Sequence, residues 1–143
     1  MQTSKILFTD LDGTLLDDGK NISQENRQAI SRALSQGHRI VVASGRPLVS
    51  ARAQSEKLGL NTDGSYVISY NGACIYDFGR KQILFSKAVP LDRLREIFDA
   101  AYSYGIHAQT YSDTRVLSER DNACIQNYSR TTGVPMEIVP DVP

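Results

Sequence analysis

The sequence predicts an α/β protein in which parallel strands alternate with helices, followed by a smaller α+β segment. Three observations carry this reading. Short apolar or β-branched runs at 5–9, 39–43 and 66–69 are separated by two stretches whose apolar residues recur at helical spacing. A glycine closes each helical stretch, Gly37 after the first and Gly59 after the second. Beyond residue 70 the pattern changes to short strands paired about turn residues, interrupted by helices.

In order, the run at 5–9 gives way at once to polar, glycine-containing chain, as a buried strand does when it feeds a loop. Ser23 suits an N-cap, and after it Ala29, Ile30, Ala33 and Leu34 recur at helical spacing. The β-branched run at 39–43 is the second strand. Pro47 fits the first turn of a second helix, along which Leu48, Ala51, Ser55 and Leu58 share a face. Residues 66–69 make the third strand, so the crossovers are those of right-handed βαβ units. The runs at 73–76 and 82–85 flank Asp77-Phe78-Gly79-Arg80 as a hairpin. Leu91, Leu94, Ile97, Phe98 and Ala101 form an amphipathic helix closed by Gly105. Strands are expected at 106–111 and 116–118 about Ser112-Asp113-Thr114, then a helix at 121–132 ended by Gly133 and Pro135, then a strand at 136–139. The change of character places a domain boundary near residue 87, giving domains 1–86 and 87–143.

A chain of 143 residues holds one domain, or a small domain with part of another. At that size folding buries roughly 70% of the unfolded surface, enough for a core without staples. Sixteen basic and sixteen acidic residues cancel, and no basic stripe stands out, which argues against a nucleic-acid partner. The apolar run Ile6-Leu7-Phe8 is far too short for a signal peptide or a membrane span. Cys74 and Cys124 lie far apart without C-x-x-C spacing and are expected as reduced, partly buried thiols of a cytoplasmic protein. The glycosylation sequons at Asn21 and Asn127 carry no weight in that compartment.

Chemistry concentrates in Asp10-Leu11-Asp12-Gly13-Thr14-Leu15-Leu16, directly after the first strand. Ligands of open parallel sheets collect outside the carboxyl ends of the strands. Two acidic side chains one residue apart can converge there on a hard cation such as magnesium, which prefers oxygen ligands shared with phosphate. A calcium loop counted from Asp10 fails, because glycine falls fourth and the twelfth residue is Asn21. A nucleotide-binding P-loop over 13–20 fails too, since five residues separate Gly13 from Gly19 and Asn21 stands where Ser or Thr is needed. The plain alternative for Asp10 and Asp12 is turn formation beside a glycine.

This string resembles the first motif of the haloacid dehalogenase superfamily. Ala43-Ser44-Gly45-Arg46-Pro47, after the second strand, is similar to that superfamily's second motif. With Tyr70-Asn71-Gly72-Ala73 after the third strand, the order resembles the Cof-type branch of sugar-phosphate and cofactor-phosphate phosphatases. The resemblance implies a Rossmann-like parallel core, incomplete here, over 1–86 and part of an α+β cap over 87–143. It implies that Asp10 is the nucleophile that becomes an aspartyl-phosphate, and that Asp12 is the general acid and then the base for water. Magnesium would sit on the Asp10 carboxylate and the Asp12 backbone carbonyl. Ser44, Gly45, Arg46 and Asn71 would border the phosphate, the Ser44 hydroxyl donating to it.

Each has a plainer reading: a helix N-cap for Ser44, a surface arginine for Arg46, a turn for Asn71. His38 and His107 have no partners at metal spacing and are not expected to be catalytic, and Tyr66, Tyr70 and Tyr76 are expected to pack. The family's third-motif lysine and fourth-motif acids have no counterpart among these residues; Lys57, Lys81 and Lys87 lie in the wrong region. The first strand is therefore expected at an unpaired apolar edge, in a truncated chain or one completed by a second copy or a complementing chain. A small phosphorylated metabolite is the expected partner. Three other readings stand beside the phosphatase: a sugar phosphomutase, a receiver-like module phosphorylated on aspartate, and a non-catalytic interaction form.

Overall fold

The computed structural model describes residues 3–142, which divide into two compact units with bounds Met1–Lys87 and Ala88–Pro143. In the first unit the elements run β1 (Ile6–Thr9), α1 (Gln24–Ser35), β2 (Arg39–Ala43), α2 (Leu48–Lys57), β3 (Tyr66–Ser69), β4 (Cys74–Asp77) and β5 (Gln82–Ser86). They build one five-stranded sheet in the order β1-β2-β3-β4-β5. The first three strands are parallel, with Phe8 opposite Val41 and Val42 opposite Val67. The β4–β5 hairpin adds antiparallel strands to β3, with Tyr66 opposite Asp77.

Helix α1 begins where the Ser23 hydroxyl accepts from the Asn26 N–H at 3.1 Å, which satisfies one of the donors a helix start leaves free. Its Ile30 meets Leu11, Ile40, Val42, Ala51, Leu60 and Val67 in the core of this unit. Tyr76 and Phe78 close that core edge to face, with ring centroids 5.4 Å apart. The Arg52 guanidinium lies 4.3 Å from the Tyr76 centroid, so this tyrosine packs as expected.

The two outer strands are open. Ile6, Leu7 and Phe8 of β1 are 59%, 57% and 61% exposed, and Ile83, Leu84 and Phe85 of β5 are exposed as well. The apolar edge expected at the first strand is therefore present.

The second unit holds α3 (Leu94–Ser103), β6 (Thr110–Tyr111), β7 (Val116–Ser118), α4 (Ala123–Thr132) and β8 (Met136–Ile138). Its sheet has the order β6-β7-β8, antiparallel then parallel. A short 3₁₀ turn, Leu91–Arg93, precedes α3. Phe98, Val116, Ile125 and Val134 are buried here. The strand expected over 106–111 is paired only at its last two residues. Both cysteines are free, but Cys124 is exposed where partial burial was expected. Among the described residues no helix is long and apolar enough to cross a membrane.

Candidate active site

Asp10 follows β1 directly, at the carboxyl end of the parallel strands. Leu11 behind it is fully buried, and the chain then doubles back, with the Leu16 N–H donating to the Leu11 carbonyl at 2.8 Å. Gly13 at φ +76° makes this turn, a conformation that a side chain would strain. Core packing of Leu11 and Leu16 thus leaves Asp10 and Asp12 exposed on either side of a buried anchor.

The two carboxylates have opposite surroundings. Asp10 forms no side-chain hydrogen bond or ion pair with any described residue. Asp12 is held by two cations. Arg46 donates from Nε to Oδ2 at 2.7 Å and from Nη2 to Oδ1 at 2.8 Å, a two-pronged grip. Lys20 Nζ donates to Oδ1 at 2.9 Å. The Arg46 guanidinium, helped by Lys20, holds the Asp12 carboxyl well below the usual carboxylate range, although partial burial pushes the other way.

Arg46 is itself fixed. It is only 5% exposed, and its Nη1 donates to Ser50 Oγ at 3.1 Å, in the first turn of α2. The surface-arginine reading is thereby corrected: a guanidinium this buried needs a partner, and Asp12 is that partner. The helix-cap reading of Ser44 is corrected as well. Pro47 occupies the cap position of α2, and the Ser44 hydroxyl accepts from the Arg46 N–H at 3.2 Å. With that lone pair engaged, the hydroxyl proton remains available to an acceptor outside the chain.

The end of β3 is laced onto the same loop. The Tyr70 N–H donates to the Arg46 carbonyl at 3.1 Å and the Asn71 N–H to the Ser44 carbonyl at 3.4 Å. Asn71 sits at φ +54°, and its Oδ1 lies 2.7 Å from where a Cβ on Gly45 would stand. Only glycine at 45 admits Asn71 at this distance without displacing its side chain. The structure therefore gathers Ser44, Gly45, Arg46, Asn71 and Asp12 into one connected cluster, with Asp10 two residues before Asp12.

Two members were not anticipated. Lys20 sits in an ordinary turn sequence, Asp-Asp-Gly-Lys-Asn; only the return of that turn to Asp12, eight residues earlier in the chain, shows its use. Ser50 carried no signal in the sequence, since Arg46 lies before the Pro47 cap of α2 and helical i,i+4 spacing does not relate the two.

For magnesium the donor chemistry fits in part. The Asp10 carboxylate and the Asp12 carbonyl are hard oxygens, and magnesium commonly takes one or two carboxylates with the rest from water and phosphate. Among the described residues no group of three or more acidic, histidine or cysteine side chains is gathered to hold a metal by itself.

Comparison with known proteins identifies the family. The family model of haloacid dehalogenase-like hydrolases matches residues 7–139. The 5-amino-6-(5-phospho-D-ribitylamino)uracil phosphatase YitU of Bacillus subtilis is 32% identical over 113 residues, covering 75% of this chain and 39% of the relative. A second Bacillus subtilis phosphatase of that name, YwtE, is 32% identical over 117 residues, covering 82% and 39%. A haloacid dehalogenase-like hydrolase from Bacteroides thetaiotaomicron superposes with TM-score 0.86 at 27% identity, over 99% of this chain and 53% of its own. A Thermotoga maritima structure gives 0.76 at 31% identity, over 97% and 50%. The chain thus spans about half, or less, of the length of the proteins it matches. From the match over 7–139, most of its length, the chain belongs to the haloacid dehalogenase-like hydrolase family.

Proposed function

We propose that this chain carries the nucleophile, the acid–base carboxylate and the phosphate-binding loop of a magnesium-dependent phosphatase. Its substrates are small phosphate monoesters, sugar phosphates or phosphorylated cofactors. Residues 1–86 are the N-terminal part of the core and residues 87–143 part of the cap. The supporting observation is the contrast between the two carboxylates: Asp10 exposed and unpaired, Asp12 gripped by Arg46 and Lys20. Environments that separate two acids assign them different tasks. A free carboxylate at the mouth of a parallel sheet suits attack, and a positioned one suits proton transfer.

In the first half-reaction an Asp10 oxygen bonds to phosphorus as the bond to the leaving oxygen breaks, and the proton for that oxygen comes from Asp12. In the second, Asp12 accepts a proton from water, the water oxygen bonds to phosphorus, and the Asp10–phosphorus bond breaks. The contacts from Arg46 and Lys20 favour the ionised carboxylate, the state required for the second half; donation in the first half requires that this grip on Asp12 loosens. The Ser44 hydroxyl donates to a phosphoryl oxygen. When bound to the Asp10 carboxylate and the Asp12 carbonyl, magnesium supplies charge neutralisation between carboxylate and phosphate. Phosphorylated cofactors and their precursors are the first substrates to try, a choice supported by the names of YitU, YwtE and the Escherichia coli pyridoxal phosphate phosphatase YbhA, 27% identical over 117 residues. Free thiols at Cys74 and Cys124 agree with a reducing, cytoplasmic setting.

The test is phosphate release from p-nitrophenyl phosphate and a panel of phosphorylated metabolites. Release is expected to require magnesium and to fall by at least about 10³-fold in Asp10→Asn. Release that is indifferent to magnesium or to this substitution contradicts the proposal.

A further inference from the structure

Lys20 is held more deliberately than a surface lysine requires. The segment 12–22 is a compact excursion from the end of β1, tied by bridges of Leu16 to Asp12 and of Leu16 to Ile22. Within it the Asp17 N–H donates to the Asn21 carbonyl at 2.9 Å, Asp17 Oδ1 accepts from the Asn21 N–H at 2.8 Å, and the Lys20 N–H donates to the Asp17 carbonyl at 2.9 Å. The turn puts Lys20 itself at φ +61°. Gly19 and Asn21, residue types that tolerate a left-handed backbone, stand on either side, yet the left-handed position is occupied by lysine. A left-handed backbone is disfavoured for a residue with a long side chain. What the turn achieves is to return the ammonium to Asp12 Oδ1 at 2.9 Å.

Two cations on one carboxylate are not equivalent. Arg46 is buried, two-pronged and anchored to Ser50, so removing it leaves an uncompensated charge. Lys20 is 39% exposed and makes one bond, leaving two of its three N–H donors to solvent. An exposed single-bond pair of this kind is weak, so Lys20 is the cation that can leave. A phosphoryl group at Asp10 carries more negative charge than the Asp12 carboxylate and attracts an ammonium more strongly.

We propose that Lys20 is the exchangeable cation of the site: without substrate it rests on Asp12, and when a phosphate ester occupies the mouth of β1 it turns to a phosphoryl oxygen. The inference rests on the phosphatase reading above and assigns a ligand contact to a residue outside the motifs that carry the family resemblance. It also gives the excursion 12–22 a function, to carry charge from the acid to the phosphate while Arg46 stays behind as the fixed partner.

The experiment is titration of the 143-residue chain with inorganic phosphate, with and without magnesium, in the parent and in Lys20→Met, Lys20→Arg, Lys57→Met and Asp10→Asn. Expected are magnesium-enhanced phosphate binding in the parent, about tenfold weaker binding in Lys20→Met, recovery to within about threefold in Lys20→Arg, and parental behaviour in the remote control Lys57→Met. The thermal midpoint of Lys20→Met is expected to stay within about 2 °C of the parent, which separates lost contact from lost fold. If Lys20→Met binds as the parent does, or if Lys57→Met weakens binding equally, while Asp10→Asn still abolishes the magnesium effect, the role of Lys20 is refuted and the site stands. If magnesium and Asp10→Asn make no difference, or no phosphate binds, the phosphatase reading itself falls and the inference falls with it.

Discussion

At the scale of single residues, the centre of this molecule is one carboxylate with two cations on it. The bidentate Arg46 contact and the Lys20 contact favour the ionised form of Asp12, so its carboxyl titrates below the ordinary range. The sign of the consequence is fixed. A depressed folded-state value means that the ion pairs contribute their full stability above the unfolded value of about 4, and that this contribution fades as pH falls further. Denaturant unfolding measured between pH 7 and pH 2.5 is therefore expected to show less acid destabilisation in Asp12→Asn than in the parent, the two curves converging toward the acid end. Equal slopes would mean that Asp12 is not gripped in solution. Asp10, Asp12, Ser44 and Arg46 could all be named from the sequence, because each lies in a contiguous motif after a strand. What no motif could supply was their pairing: that Arg46 faces Asp12 rather than solvent follows from burial, and that Lys20 arrives beside them follows from a turn closing through space.

At the scale of elements, the strands and helices of the first unit follow the periodicity closely, since each combines an apolar run with its own stop signal. Gly37 and Gly59 do sit just past the ends of α1 and α2, at φ +78° and +72°. The second unit was less legible. The stretch 106–109 has an extended, alternating pattern, yet only Thr110 and Tyr111 pair with β7. The Ala108 carbonyl is taken instead by the Ser118 hydroxyl at 3.1 Å, and His107 and Gln109 bond to each other at 3.0 Å. Alternation specifies which way side chains point, but pairing is decided by which partner reaches the backbone. Helix α4 likewise begins at Ala123, two residues later than periodicity suggested, because Asn122 caps it: its Oδ1 accepts from the N–H groups of Cys124 at 2.9 Å and Ile125 at 3.3 Å. Asn122→Ala is expected to cost about 1 kcal/mol in chemical denaturation. A change indistinguishable from zero would show that solvent satisfies those donors equally well.

At the scale of the whole molecule, β1 presents apolar side chains on an unpaired edge, Leu7 among them at 57% exposure, beside the candidate nucleophile. Parallel strands are ordinarily covered on both faces and paired on both sides, and an open apolar edge is a template for association. The isolated chain is therefore expected to self-associate in light scattering at micromolar concentration, and Leu7→Lys to shift it toward monomer; a parent that is already monomeric would contradict this. The catalytic account can be tested more directly at the reacting atom itself. The chain would be incubated with magnesium and a small phosphate donor, quenched in acid, reduced with borohydride and mapped by mass spectrometry, so that a phosphorylated aspartate is marked by reduction of its acyl phosphate to the alcohol with loss of phosphate. The account requires that mark at Asp10, dependent on magnesium and absent from Asp10→Asn. A mark on Asp12 or on any other carboxylate, or none at all, would contradict it.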